Sequence, residues 1–154
     1  MAVTQEQKLD ILLVDDEEGH SELVKRNFKR LGITNPIFSL TRGQDALDYV
    51  FRRNAYEGRS GSGQLLILLD IKMPGSVDGV EVLRQIKADP IKRKLPVIML
   101  TTTDDPREIT RCYELGCSIY IAKPVDPTQF IEAIRRLGLL ISVVSLPAEN
   151  GGLA

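Results

Sequence analysis

Five short apolar runs alternate with longer segments of helical spacing, and this alternation constrains the fold more than any other feature of the chain. The runs cover residues 11–14, 36–40, 65–69, 97–100 and 118–122. The first, third and fourth of them contain no polar residue at alternate positions. Continuous apolar runs of this length are typical of strands that are buried on both faces, as in a parallel sheet covered by helices.

The segments between and after these runs carry apolar residues on one helical face, most clearly at Phe130, Ile131, Ile134 and Leu137. Residues that favour helix starts precede four of the segments: Thr41 with Gln44, Asp78 with Glu81, Asp105 with Pro106, and Asp126 with Pro127. Helix stops are predicted at Gly32, Pro90 and Gly116.

The order is therefore a strand followed by a helix, five times over. This order predicts an α/β protein of the flavodoxin-like, doubly wound (βα)5 type, with a central five-stranded parallel sheet. In such sheets ligands bind beyond the carboxyl ends of the strands. The residues that directly follow each predicted strand are therefore the first candidates for a functional site.

Residues with compatible chemistry follow four of the five strands: Asp15 and Asp16, Asp70, Thr101, and Lys123. Three nearby carboxylates repel one another, and a bound cation would relieve that repulsion. Because the donors are hard oxygens without Cys or His, they favour Mg²⁺ over zinc. The Lys123 ammonium and the Thr101 hydroxyl could both contact a phosphoryl oxygen. The set predicts a carboxylate that accepts a phosphoryl group.

Each of these residues, taken alone, could have a purely structural role, because aspartates such as Asp15 and Asp16 often cap helices. Convergence of compatible chemistry at four strand ends favours the functional interpretation.

Composition excludes several other classes of function. The chain has 154 residues and a formal net charge of −1, without the basic excess expected of a nucleic-acid binder. Two cysteines and one histidine are too few for a disulfide framework or a zinc site. No apolar run approaches a membrane span, and the start does not read as a secretory signal. We therefore expect a soluble, cytoplasmic, single-domain protein with reduced thiols, which binds neither nucleic acid nor membrane.

Four segments carry a family resemblance: residues 11–17, 69–75, 97–101 and 120–124. In combination they closely resemble the receiver domain of two-component response regulators, over about residues 8–137. The resemblance implies a regulatory phosphoacceptor rather than an enzyme, in which Asp70 takes the phosphoryl group from a histidine kinase. It also implies a Mg²⁺ site formed by Asp15, Asp16, Asp70 and the backbone carbonyl of Lys72.

The same resemblance assigns two further features. Thr101 and Tyr120 look like the switch pair, in which the hydroxyl moves toward the phosphate and the ring follows inward. Lys123 looks like the phosphate-pairing lysine, and the Lys123–Pro124 bond resembles the family's cis peptide.

The chain departs from the family pattern after Asp70. One extra residue stands between Pro74 and Asp78, which puts the shape of that loop in question. Lys72 also places an ammonium two residues after the acceptor. Our hypothesis is that this ammonium shields the acyl phosphate or competes with the metal.

A narrower resemblance concerns the partners. The Gly- and Ser-containing segment 52–64, predicted to be a mobile surface loop, and the segments 123–131 and 143–147 look like response regulators that serve phytochrome-type histidine kinases. We expect no DNA-binding output domain, because only 31 residues follow Lys123 in this sequence. The expected output is a downstream phosphotransfer or target protein.

We expect residues 1–137 to form the receiver domain and residues 138–154 to form an apolar C-terminal extension with a frayed tail. The extension could lengthen the fifth helix, add a strand or cover a partner. A homodimer face made with the fourth and fifth helices is a further hypothesis.

Three other functions fit the sequence less well. A haloacid-dehalogenase-type phosphatase needs a second Asp where this chain has Lys72. A receiver-like module that is never phosphorylated usually lacks an acceptor residue, and none is missing here. Flavin binding requires a phosphate cradle after the first strand, where this chain is acidic. His20 is predicted to be a solvated surface residue, and Cys112 and Cys117 are predicted to be small buried hydrophobes.

Overall fold

The computed structural model describes residues 9–60 and 64–142. Five strands are present: β1 (Leu9–Val14), β2 (Ile37–Leu40), β3 (Gln64–Leu69), β4 (Val97–Thr101) and β5 (Ile119–Ala122). Five α-helices alternate with them: α1 (Glu18–Arg30), α2 (Gly43–Phe51), α3 (Gly79–Ala88), α4 (Pro106–Leu115) and α5 (Pro127–Ile141). The predicted order of strands and helices is confirmed.

All strand pairs are parallel, and the strand order in the sheet is β2-β1-β3-β4-β5. The chain winds outward in one direction from β1 to β2 and in the other direction from β3 to β5. The carboxyl ends of β1 and β3 are therefore neighbours at the point where the winding direction reverses, which is where open α/β sheets bind ligands.

The core lies on both faces of the sheet, because successive strand residues point to opposite sides. On one face, Ile11 and Leu13 of β1 pack with residues of α1 and α5. On the other face, Leu12 and Val14 pack with residues of α2, α3 and α4. Burial on both faces explains why the central strands lack polar alternation.

Three predicted helix starts are confirmed. The side chains of Asp78, Asp105 and Asp126 accept hydrogen bonds from backbone N–H groups in the first turns of α3, α4 and α5. The predicted start at Thr41 is wrong, because α2 begins at Gly43 with Arg42 at the cap position. Gln44 donates forward along the helix to Asp48 at 3.0 Å and so does not reach back to the helix start.

Helix α5 extends past the predicted domain boundary at residue 137 and ends at Ile141. Residues 138–141, predicted as an extension, therefore continue the fifth helix, and Leu139 and Leu140 are exposed. Residues 143–154 lie outside the described part of the chain, so the boundary and the frayed tail stay predictions. Among the described helices, none is both long and apolar enough to cross a membrane.

The segment that follows α2 is a surface loop with one short 3-10 helix, Asn54–Tyr56. Its described part is anchored by Arg59, whose guanidinium lies 4.1 Å from the centre of the Tyr49 ring and donates to the Tyr49 carbonyl oxygen. The predicted mobility of residues 52–64 stays a prediction, and residues 61–63 lie outside the described residues.

Candidate functional site

Four buried polar residues meet at the carboxyl edge of the sheet. Asp15 directly follows β1, Asp70 directly follows β3, Thr101 is the last residue of β4, and Lys123 directly follows β5. All four are among the few polar residues that are buried in the described structure. The parallel arrangement of the strands thus brings together the side chains that the sequence predicted to converge.

Lys123 bridges the two buried carboxylates. Its Nζ atom donates to Asp15 Oδ2 at 2.5 Å and to Asp70 Oδ2 at 3.2 Å. The lysine side chain is only 2% exposed. A buried ammonium is tolerated only when paired in this way, so the three residues depend on one another.

The backbone around Asp70 is tightly packed. Asp70 Oδ1 accepts a hydrogen bond from the Ile71 N–H at 2.7 Å, which orients the carboxylate. Helix α3 starts so close to this turn that a Cβ at Gly79 would lie 1.9 Å from the Asp70 carbonyl oxygen. Only glycine fits there, and the contact fixes the position of Asp70 relative to α3.

Asp15, Asp16 and Asp70 form an acidic cluster in which one oxygen of each carboxylate lies within 4.8 Å of the others. Burial raises the pKa of the Asp15 carboxyl, and the nearby Asp70 charge adds to this shift, while Lys123 and the Glu17 N–H oppose it. The donor set consists of hard oxygens and carries excess negative charge, so it fits a divalent cation such as Mg²⁺.

The role predicted for the Lys72 carbonyl oxygen stays a prediction. The Lys72 side chain is exposed.

Thr101 and Tyr120, the predicted switch pair, lie on neighbouring strands. Thr101 is fully buried, and its Oγ1 lies 3.4 Å from the Ile71 nitrogen. The Tyr120 hydroxyl donates to the Thr103 carbonyl oxygen at 2.5 Å, and burial raises the pKa of this hydroxyl to about 12. The Tyr120 N–H donates to the Tyr113 hydroxyl at 3.0 Å. Tyr120 thus holds the loop after β4 and is itself held by α4.

The expected cis bond between Lys123 and Pro124 is not found, because the described chain contains no cis peptide. The two isomers of a bond before proline differ by only about 0.5–1 kcal/mol, so the dipeptide alone does not determine the isomer. The lysine is oriented by its ion pairs instead.

The extra residue in the loop after Pro74 is accommodated against α2. Gly75 adopts a φ of 91°, a conformation that suits glycine. Val77 packs against the core, and its carbonyl oxygen would lie 2.3 Å from a Cβ at Gly43. Asp78 still caps α3, so the longer loop leaves the start of that helix intact.

His20 contacts the site while 29% of its side chain stays exposed, so its prediction as a solvated surface residue is only partly correct. Its Nδ1 atom lies 3.1 Å from Lys123 Nζ, and its ring packs on Phe130. A signal was present in the sequence, because His20, Val24 and Phe28 are spaced four residues apart and therefore share one helical face. Val24 and Phe28 are core residues, so this face points inward.

Comparison with known proteins agrees with this geometry. A family model described as the response regulator receiver domain matches residues 11–135. The probable methanogenesis regulatory protein FilR2 of Methanothrix harundinacea is 39% identical over 132 residues, which cover 84% of this chain and 83% of FilR2.

Two cyanobacterial proteins are also similar. The response regulator Rcp1 of Synechocystis is 31% identical over 90% of this chain and 92% of its own length. The crystal structure of its Mn²⁺-bound form superimposes with a TM-score of 0.84, over 92% of this chain and 99% of that one. The structure of the phosphorylated cyanobacterial phytochrome response regulator RcpA is 27% identical, with a TM-score of 0.82 over 92% and 99% of the two chains. The chain therefore belongs to the family of response regulator receiver domains.

Proposed function

We propose that this chain is a phosphoryl-accepting switch of a two-component phosphorelay and that Asp70 accepts the phosphoryl group from a histidine kinase. The observation that carries the proposal is the buried pairing of Asp70 with Lys123, beside two further carboxylates. Phosphoryl transfer depends mainly on positioning and on neutralisation of charge, and this arrangement offers both.

In the proposed reaction, an Asp70 carboxylate oxygen attacks the phosphorus of a phosphohistidine in line with the bond that breaks. The new bond joins this oxygen to phosphorus, and the electron pair of the broken P–N bond returns to the imidazole of the kinase. The Ile71 N–H orients the Asp70 carboxylate. Lys123 and Thr101 then contact the phosphoryl oxygens as ammonium and hydroxyl donors.

The proposed cofactor is Mg²⁺, held by Asp15, Asp16, Asp70 and the backbone carbonyl of Lys72. When bound, the ion would supply positive charge to the phosphoryl oxygens. The close approach of the Asp15, Asp16 and Asp70 carboxylates supports a cation at this position, since three negative charges lie together there. The Mn²⁺-bound form of the similar Rcp1 supports a divalent ion.

The proposed output is a change of surface around α4 and β5. A phosphoryl group adds a charge of about −2, which favours movement of the Thr101 hydroxyl toward it. Tyr120 links this event to the surface, because it contacts both the loop after β4 and Tyr113 of α4. A downstream phosphotransfer or target protein would bind the altered surface.

The partner proposed upstream is a phytochrome-type histidine kinase in the cytoplasm, supported by the similarity to the phytochrome response regulator RcpA. A homodimer is also part of the proposal. The exposed apolar residues Ile131, Leu139 and Leu140 of α5 support it, because exposed apolar patches often mark protein interfaces.

Radiolabelled phosphoramidate tests the proposed reaction without a cognate kinase. The wild-type chain should become labelled with Mg²⁺ and remain unlabelled with EDTA, and Asp70→Asn should remain unlabelled in both. Glu132→Gln, which alters an exposed carboxylate of α5, is the matched control and should label like the wild type. Full labelling of Asp70→Asn would refute the assignment.

A further inference from the structure

His20 completes the set of hydrogen-bond acceptors around Lys123. An ammonium has three N–H donors. Among the described residues, Lys123 Nζ contacts three acceptors: Asp15 Oδ2, Asp70 Oδ2 and His20 Nδ1. The first two are charged carboxylates, and the third is a ring nitrogen at 3.1 Å. Each donor of the ammonium therefore has a partner in the protein.

The His20 ring is itself held on two sides. Its Nε2 atom lies 3.1 Å from Glu17 Oε2, and its ring centre lies 5.2 Å from that of Phe130. A nitrogen that accepts from an ammonium must carry a free lone pair, so this contact requires the tautomer in which Nε2 carries the hydrogen, on the side of Glu17.

These contacts form a closed cycle of interactions that begins and ends at Asp15. The Glu17 N–H donates to Asp15 Oδ1 at 2.9 Å, Glu17 contacts His20, His20 contacts Lys123, and Lys123 donates to Asp15 Oδ2. This cycle of contacts joins the first turn of α1 to Lys123, the residue after β5. It gives the Lys123 ammonium a support that does not come from the acceptor carboxylate.

The proposed reaction changes the two carboxylates directly, whereas it leaves the His20 side chain chemically unaltered. Attack by Asp70 converts its carboxylate to an acyl phosphate. A cation in the acidic cluster would be coordinated by the Asp15 carboxylate. His20 lies beside Lys123 and Phe130, its Nδ1 atom is also 4.0 Å from Asp15 Oδ2, and it is neither the proposed acceptor nor a proposed metal ligand. It is therefore the partner that can hold the ammonium in place throughout.

We propose that His20 is a positioning residue that holds Lys123 toward the incoming phosphoryl group through Nδ1. This inference rests on the proposed function of Asp70 and deepens it. The competing structural interpretation is that the ring only fills space against Phe130. The two interpretations differ in which substitute for histidine preserves the reaction.

Two variants separate these interpretations. In His20→Asn the side-chain oxygen can take the place of Nδ1, whereas His20→Leu retains apolar packing on Phe130 and has no acceptor. If His20 positions Lys123, the rate of Mg²⁺-dependent labelling by phosphoramidate at fixed pH should fall about tenfold in His20→Leu, the size expected for one hydrogen bond to a charged group. The rate in His20→Asn should stay within about threefold of wild type. A wild-type rate in His20→Leu, or equal losses in both variants, would overturn the inference.

A spectroscopic measurement tests the contact without any phosphorylation. His20 is the one histidine of the chain, so its imidazole ¹⁵N signals need no further assignment. Long-range ¹H–¹⁵N spectra should show the Nε2–H tautomer, and the Nδ1 signal should shift in Lys123→Met. An Nδ1–H tautomer, or an Nδ1 chemical shift that is the same in Lys123→Met as in the wild type, would overturn the inference. This holds whether or not Asp70 is phosphorylated. A wild-type chain that is never labelled would instead refute the proposed function.

Discussion

Lys123 and Asp70 lie 53 residues apart in the sequence, yet their Nζ and Oδ2 atoms are 3.2 Å apart in the buried edge of the sheet. The contact joins the residue after β3 to the residue after β5, across β4. Because Lys123 also pairs with Asp15, one ammonium compensates two buried carboxylates. We therefore expect folding stability and the proposed phosphoryl acceptance to depend on the same three side chains.

Replacement of the lysine should expose this dependence. Lys123→Met leaves Asp15 and Asp70 without a buried counter-charge, and loss of one partner of a buried pair typically costs about 3–5 kcal/mol of unfolding free energy. Mg²⁺ should restore part of that loss, because a cation in the acidic cluster replaces the missing charge. Urea unfolding with and without Mg²⁺ measures both effects. Lys25→Met, which removes a half-exposed ammonium that pairs with Glu22 on α1, is the control, and an equal response of the two variants to Mg²⁺ would contradict the account.

The close contact between Gly79 and the Asp70 carbonyl makes a second prediction. In Gly79→Ala the added Cβ must displace the turn after β3, and overpacking of this kind costs about 1–3 kcal/mol. The rate of Asp70 phosphorylation should fall as well, because the carboxylate moves with its backbone. Gly19→Ala in α1 is the matched control, since no atom lies within 4 Å of its Cβ, and it should stabilise the chain by about 0.5–1 kcal/mol. Thermal unfolding of both variants compares them, and equal stabilities would be inconsistent with the contact.

The sequence predicted the fold and most of the site for a specific physical reason. Strands buried on both faces must be continuously apolar, so the runs around Leu12, Leu68 and Met99 were visible without any tertiary information. The parallel order then determined which residues meet, and Asp15, Asp70 and Lys123 do meet as expected.

Features that depend on packing were not predicted correctly. Helix α2 begins at Gly43, where the Val77 carbonyl packs against the backbone, and the Gln44 side chain donates to Asp48. A local capping pattern encodes neither contact. The contact of His20 with Lys123 was not predicted either, because it joins residues that are 103 apart in the sequence. His20 lies one helical turn before the buried Val24, and its side chain stays 29% exposed.

The buried thiols predict how stability changes at alkaline pH. Burial raises the pKa of Cys112 to about 11, from an ordinary value of 9.0, and burial also raises the pKa of Cys117. Between pH 9 and 11 the unfolded chain therefore loses the Cys112 proton while the folded chain retains it, so the unfolding free energy should decrease as the pH rises. Urea unfolding at pH 8 and pH 10 measures this decrease, which should be smaller in Cys112→Ala. An identical decrease in the variant would argue against a buried thiol as its source.

The hydroxyl of Tyr120 should control the loop after β4 rather than the chemistry at Asp70. In Tyr120→Phe the Thr103 carbonyl oxygen loses its donor, so amide hydrogen exchange of residues 102–105 should become faster. The phosphorylation rate should change by less than about threefold, because a hydrogen bond remote from Asp70 adds little to positioning. Tyr56→Phe, in the aromatic cluster beside α2, serves as the control. Unchanged exchange in Tyr120→Phe would show that the contact does not restrain the loop.

The most direct test of the central claim is to locate the phosphoryl group chemically. Borohydride reduces an aspartyl phosphate to homoserine, and peptide mass spectrometry of the reduced protein identifies the residue. After phosphorylation in the presence of Mg²⁺, the account predicts homoserine at position 70 and unmodified residues at positions 15 and 16. Homoserine at another position, or none in a chain that retains label, would contradict it.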